Sequence, residues 1–185
     1  MTKDTIPLAD KREIELRAFE IDAEEIKKRL QHIGARATGH MDYQRGVFDV
    51  IPATPDKWIR LRTDGTTTTL AVKERVSDAA DGTREHEVKT DGFDATLDVL
   101  RTLGYEPRSI QESRRDAYDL GDVEVSIDEW PGVAPYVEIE APSEEAIYAT
   151  AESLGIPRDT LTGESIEQYY QRMRGIDLRV TSVQF

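Results

Sequence analysis

The sequence predicts an α+β fold: an eight-stranded antiparallel β-barrel with helices packed outside, in a single domain spanning residues 1–185. Three observations carry that expectation. Segments of strict period-two alternation recur between Glu13 and Glu140, and that period marks strands with one apolar and one polar face. Short helical patterns interrupt them, three ending at an Ile-Gly or Leu-Gly pair at Gly34, Gly104 and Gly155. The polar strand faces carry charge sorted into blocks of one sign. Closing about eight such strands makes a barrel whose interior admits one small ligand.

The elements follow in order. Residues 1–10 read as a polar tail. In Glu13-Ile14-Glu15-Leu16-Arg17 the two acids and Arg17 share one face, with Ile14, Leu16 and Ala18 on the other. Asp22 is the expected N-cap of the first helix, with Glu24 and Glu25 in its first turn. Ile26, Leu30 and Ile33 recur at helical spacing, and Gly34 is the stop. Ala35 to Asp49 reads as a long irregular strand, and Ile51 to Pro55 as a loop because of its two prolines. Trp58 to Arg62 alternates again, Asp64-Gly65 signals a hairpin turn, and Thr67 to Lys73 is its β-branched return. Ser77 to Gly82 reads as an exposed polar loop. Arg84 to Lys89 alternates charged residues against His86 and Val88.

A second helix is expected over Asp94 to Leu103. The strand after it runs from Tyr105 to Tyr118, is broken by Pro107 and becomes regular near Gln111. Val123 to Asp128 places Glu124, Ser126 and Asp128 on one face, and Tyr136 to Glu140 is the last strand. Ser143 caps a third helix closed by Gly155. Residues 163–185 hold a C-terminal helix, roughly Gly163 to Met173, and a tail. Its apolar stripe of Ile166, Tyr169, Tyr170 and Met173 reads as packing. Glu13-Ile-Glu15, Glu85-His-Glu87 and Glu138-Ile-Glu140 each precede one of the first three helices, the trace a duplicated strand–helix unit would leave.

A net charge of -13 argues against nucleic-acid and membrane partners, which attract basic surfaces. The chain lacks cysteine, so disulfides, thiolate metal sites and cysteine nucleophiles are excluded. No apolar run approaches the ~20 residues of a membrane span, and the N-terminus lacks a signal-peptide core. These features together give the expectation of a cytoplasmic protein, monomer or homodimer. His32, His40 and His86 are scattered, and no nucleophile elbow, P-loop or dinucleotide glycine pattern is present. Seventeen of the 24 basic residues are Arg, the side chain suited to bidentate capture of carboxylate or phosphate.

The charged strand faces collect Glu13, Glu15, Glu85, Glu87, Glu124, Asp128, Glu138 and Glu140 as acids. The bases are Arg17, Arg60, Arg62, Lys73, Lys89 and Arg115. The plain alternative is an open sheet whose salt-bridge ladders face water. Against it, like-charged pairs on one strand repel unless a counter-ion lies between them. Carboxylates without clustered His or Cys match Mg²⁺ or Mn²⁺ rather than zinc. A lumen of both signs fits a metal–polyphosphate complex, acids holding the cation and Arg/Lys the phosphate oxygens. Glu13 and Glu15 on the first strand, and Glu138 and Glu140 on the last, become neighbours if the barrel closes. Such carboxylates are expected to crowd one another in the absence of metal.

From about Arg12 to Tyr170 the motifs resemble those of the CYTH superfamily, the triphosphate tunnel metalloenzymes that include class IV adenylyl cyclases and thiamine triphosphatases. Glu13-Ile-Glu15-Leu-Arg17 is similar to its Glu-x-Glu-x-Lys strand, with Arg at the last position. Arg60-Leu-Arg62, Lys73, Glu85-His-Glu87, Asp128 and Glu138-Ile-Glu140 resemble its later motifs. Ser113-Arg114-Arg115-Asp116-Ala117-Tyr118 is similar to its Lys-x-Arg-x-x-Tyr pattern, with Ser113 where Lys is usual. That departure removes a phosphate contact unless Arg114 compensates.

The resemblance implies an eight-stranded triphosphate tunnel and divalent-metal-dependent hydrolysis of an inorganic or organic triphosphate by Mg²⁺ or Mn²⁺. It implies metal ligands at Glu13, Glu15, Asp128, Glu138 and Glu140, and substrate contacts at Arg60, Arg62, Lys73, Glu85, Glu87, Lys89, Arg114 and Arg115. Glu13, Glu15, Arg17, Lys73 and Arg115 are the expected catalytic residues. A cyclase making cyclic AMP and pyrophosphate from ATP, and a non-catalytic polyphosphate-binding module, are the competing readings.

Overall fold

The computed structural model describes residues 14–75 and 83–185. Glu13, the tail 1–10 and the Ser77–Gly82 loop lie outside the described residues. Eight strands form one antiparallel sheet: β1 (Ile14–Ala18), β2 (Arg36–Thr54), β3 (Lys57–Thr63), β4 (Thr68–Arg75), β5 (Thr83–Thr90), β6 (Ser109–Leu120), β7 (Val123–Glu129) and β8 (Tyr136–Ala141). Their order is β1-β8-β7-β6-β2-β3-β4-β5. The sheet curls into a barrel-like form, but among the described residues its edges, β1 and β5, are not hydrogen-bonded to each other.

Among the described residues, four α-helices accompany the sheet: α1 (Ala23–His32), α2 (Phe93–Thr102), α3 (Glu144–Ser153) and α4 (Ile166–Arg174). The expected caps are present. Asp22 accepts from the amide of Glu25 at 3.0 Å, and Ser143 from that of Ala146 at 3.2 Å. Each first turn is acidic, which suits the positive end of a helix. After α1, Gly34 takes a φ of +82°, a left-handed conformation that glycine adopts without steric penalty.

The two sides of the sheet differ as the alternation predicts. On the outer side, Leu16, Ala18, Val125, Ile127, Val137 and Ile139 pack with Ile26 and Leu30 of α1 and with Ile147 and Ala151 of α3. A second outer cluster joins Phe48, Ile59 and Leu61 to Leu97 and Leu100 of α2. Each large apolar side chain removed from water there contributes about 1.5–3 kcal/mol.

α4 belongs elsewhere. Its Ile166, Tyr169 and Tyr170 pack with Trp130 and Tyr136, and Tyr136 shares the inner face of β8 with Glu138. Tyr169 stacks on Phe19 with ring centroids 4.0 Å apart. Three helices therefore lie outside the sheet, while α4 covers part of the concave side. Met173 is exposed, so the apolar stripe of α4 ends at Tyr170.

Two strand boundaries differ by several residues from the sequence-based expectation. β2 continues through Ile51 and Pro52 to Thr54 instead of yielding to a loop. The register of β2 with β3 shifts between Asp49 and Thr54, so Pro52, which has no N–H to donate, sits where the ladder is interrupted. β6 starts at Ser109 rather than Tyr105, beyond the proline that the sequence had placed inside it.

Candidate active site

Alternation and register together build one charged inner face. β1 and β8 pair so that Glu15 is opposite Glu140 and Arg17 opposite Glu138. β7 adds Glu124 opposite Glu140 and Ser126 opposite Glu138. The first and last Glu-x-Glu strands are thus neighbours by the order of the sheet, and not through pairing of its edges, β1 and β5. Across β6, the face continues onto β2, β3 and β4, which present Arg45, Arg60, Arg62 and Lys73, and onto β5, which adds Glu85, Glu87 and Lys89.

In the acidic half, guanidiniums stand between the carboxylates. Arg17 Nη2 lies 2.6 Å from Glu15 Oε1 and 2.7 Å from Glu138 Oε2. Arg115 makes a fork to Asp128, Nε to Oδ1 at 2.8 Å and Nη2 to Oδ2 at 2.9 Å. Its Nη2 also reaches Glu138 Oε1 at 2.9 Å. Ser126 Oγ donates to Asp128 Oδ2 at 2.8 Å. Two arginines, from β1 and β6, therefore stand between Glu15, Glu138 and Asp128 and relieve the crowding of those three. Burial pushes the Glu138 carboxyl up, but Arg17 and Arg115 outweigh it and hold the group below its ordinary value. Asp128 is pushed up by its burial, which Arg115 alone offsets only in part. A small cavity of about 50 Å³ opens beside Arg115, Ser126, Glu124, Glu138 and Glu140.

The basic half is arranged differently. Arg60 Nη2 contacts Glu85 Oε1 at 2.6 Å and Glu87 Oε2 at 3.0 Å, and Lys73 Nζ lies 3.3 Å from Glu85 Oε2. Burial, with Arg60 nearby, pushes the Lys73 ammonium below its ordinary range. Arg62 and Arg45 are directly opposite each other across β2 and β3, and among the described residues neither has a carboxylate partner. Tyr43 lies under both, 4.9 Å from the Arg62 guanidinium and 5.8 Å from that of Arg45. Burial lowers the affinity of Arg62 for its proton, and Arg60 adds to the effect. Among the described residues, Arg45 Nε, Arg60 Nε and Thr69 Oγ1 are buried without a hydrogen-bond partner.

A cavity of about 470 Å³ adjoins this half. Arg45, Arg60, Trp58 and Lys73 line it from the sheet, and Gln168 and Gln171 line it from α4. Its size falls in the range of small-molecule sites.

The sequence-derived candidates are largely brought together. Glu15, Arg17, Arg60, Arg62, Lys73, Glu85, Glu87, Arg115, Asp128, Glu138 and Glu140 all project from inner-face positions, and Lys89 stands opposite Thr69 on the same side. Arg114 does not join them, because alternation turns it outward. There its Nε meets Asp42 at 3.2 Å and its guanidinium lies 4.0 Å from the Phe185 ring. Glu13 lies outside the described residues.

Arg45 and Tyr43 are the inner-face residues that sequence reasoning missed. The signal was the alternation Tyr43-x-Arg45-x-Val47, hidden within a strand read as irregular. Among the described residues, no group of three or more acids or histidines is already gathered to hold a metal ion.

Comparisons with known proteins agree with this architecture. The model of the CYTH domain matches residues 11–162. The PH1012 protein of Pyrococcus horikoshii superposes with a TM-score of 0.69 at 20% identity, covering 83% of this chain and 96% of that one. A candidate adenylate cyclase from Vibrio parahaemolyticus gives 0.68 at 17% identity, covering 84% and 95%. A Hippeastrum protein, reported as a candidate adenylyl cyclase with a dominant triphosphatase activity, gives 0.60 at 15% identity, covering 88% and 95%. At these identities the likeness is one of fold. No curated protein matches the chain. With most of its length matched by the family model, the chain belongs to the CYTH family.

Proposed function

We propose that this chain hydrolyses a triphosphate, inorganic or organic, with the help of Mg²⁺ or Mn²⁺. The observation that carries this reading is the division of one inner face into two halves. The basic half holds Arg60, Arg62 and Lys73, with buried donors on Arg60 and Thr69 left without partners among the described residues. The acidic half adjoins it across β6. Clustered cations with unused donors suit phosphate oxygens.

Arg60, Arg62 and Lys73 would bind the polyphosphate and stabilise charge on the phosphoryl group under attack. Arg115, held by Asp128 and Glu138, needs no reorganisation to face that charge. Water attacks the terminal phosphorus, the phosphoanhydride bond breaks, and orthophosphate and the shortened phosphate leave.

The donor set fits a hard divalent cation. Glu15, Glu140 and Glu124 stand in register on three adjacent strands, and all are oxygen donors of the type that Mg²⁺ and Mn²⁺ prefer. Glu15, Asp128, Glu138 and Glu140, with Glu13, are the residues that would hold it. When bound, such an ion neutralises phosphate charge and lowers the pKa of coordinated water.

One observation favours keeping the cyclase reading as the second. The 470 Å³ cavity reaches Trp58, beyond the phosphate-binding cations, and an indole there offers a stacking face for an organic group. Incubating the protein with tripolyphosphate, thiamine triphosphate or ATP and Mg²⁺ or Mn²⁺ separates the readings. Orthophosphate release is the expected result. Cyclic AMP with pyrophosphate would establish the cyclase instead, and absence of any turnover would contradict both.

A further inference from the structure

Arg45 is the inner-face residue that neither the motifs nor the acid–base pairing accounts for. Its Nη2 donates to Ser113 Oγ at 2.5 Å. Among the described residues its Nε is buried with no hydrogen-bond partner, and no carboxylate meets the guanidinium. Its guanidinium also lies 4.6 Å from the Trp130 ring and 5.8 Å from that of Tyr43, and Glu167 lines the same cavity without an ion pair to it. Burial pushes its guanidinium down to about 10, with Arg62 and Arg60 adding to the effect, so the group stays charged at neutral pH. Two like charges directly opposed on paired strands, as Arg45 and Arg62 are, repel each other. A buried cation without a counter-ion is destabilising. An anion placed between the two guanidiniums would relieve both effects.

The place of Arg45 is set by Ser113. Gln111, Ser113 and Arg115 follow one another on the inner face of β6, and Arg45 stands opposite Gln111 while its fork reaches forward to Ser113. Ser113 is itself buried, and its short side chain leaves room for that fork. The tip of Arg45 therefore lies one inner-face step from Arg115, where the basic half meets the carboxylates.

We infer that Arg45 is an anion-binding residue of this site, gripping the phosphate group nearest the carboxylates from the space that a longer cationic side chain at position 113 would occupy. The lost contact at Ser113 is thus replaced by a cation from β2, not by Arg114, which faces outward. This inference rests on the triphosphate reading above and names a binding residue within it.

Calorimetric titration of tripolyphosphate in the presence of Mg²⁺ tests it. Arg45→Gln should weaken binding about ten- to a hundredfold. Arg45→Lys, which keeps the charge without the fork, should be intermediate and serves if the Gln variant does not fold. The double variant Arg45→Ser with Ser113→Lys should recover most of the affinity, because the cation returns to the same place from the neighbouring strand. Arg45 variants that bind like the wild type, while Arg62→Ala binds more weakly, would overturn this inference and leave the triphosphate reading standing. A double variant as weak as Arg45→Ser alone would overturn the replacement of a position-113 cation. Wild-type protein that binds neither tripolyphosphate nor ATP would overturn the triphosphate reading and this inference with it.

Discussion

Glu138 shows how a single side chain changes meaning once its neighbours are known. It is 9% exposed and accepts from Arg17 and Arg115 at 2.7 and 2.9 Å. Its carboxyl is held below the ordinary glutamate value of 4.5. A depressed carboxylate contributes stability that is present above its unfolded value and lost as pH falls through the folded one. Removing the charge should therefore destabilise the ligand-free protein. We expect Glu138→Gln to lower its unfolding free energy by roughly 1–3 kcal/mol at pH 7, measured by denaturant titration, with the difference shrinking below pH 4.5. A more stable variant would mean that repulsion among carboxylates dominates. The sequence suggests that opposite sign, because it shows the Glu-x-Glu pairs but not the directions of Arg17 and Arg115. Those directions depend on which strands adjoin, a property of the assembled sheet.

Among the elements, the β3–β4 hairpin was the most legible. Its strands alternate cleanly, and its turn chemistry is local. Asp64 Oδ1 accepts from the amides of Thr67 at 2.7 Å and Thr66 at 2.9 Å, which lowers its carboxyl below the ordinary aspartate value of 3.8. Asp64→Ala should destabilise the protein by about 1 kcal/mol at pH 7. Since the stabilisation by Asp64 disappears as pH falls through its folded value, wild type and variant should converge below pH 3.8. A gap of constant size from pH 7 to pH 3 would show that the loss comes from the turn backbone. The caps of α1 and α3 were legible for the same local reason. β2 was not, because an unusually long strand passes through a proline where its register shifts. The location of α4 was also hidden, since an apolar stripe states that a helix packs but not on which side of a sheet.

At the scale of the molecule, the order of strands does most to create the site. β1 and β8, at opposite ends of the described sequence's strand set, become neighbours and bring two Glu-x-Glu motifs together. β2, β3 and β4 bring Arg45, Arg60, Arg62 and Lys73 to the other half. The sorting of charge by strand was visible in the sequence and supported a polar lumen. The pairing inside that lumen was not visible, and neither was the contribution of α4 to its wall. Among the described residues, no helix is long and apolar enough to cross a membrane.

The central claim is that this inner face is built for a triphosphate with a divalent ion, and thermal melting of the wild-type protein tests it most directly. A ligand that binds only the folded state, at about a hundred times its Kd, stabilises by about 2.7 kcal/mol. For a chain of this size that corresponds to a rise of about 5–10 °C in Tm. Tripolyphosphate with Mg²⁺ should give such a rise, and orthophosphate at the same concentration a much smaller one. An unchanged Tm with tripolyphosphate and Mg²⁺, or an equal rise with orthophosphate, would contradict the account.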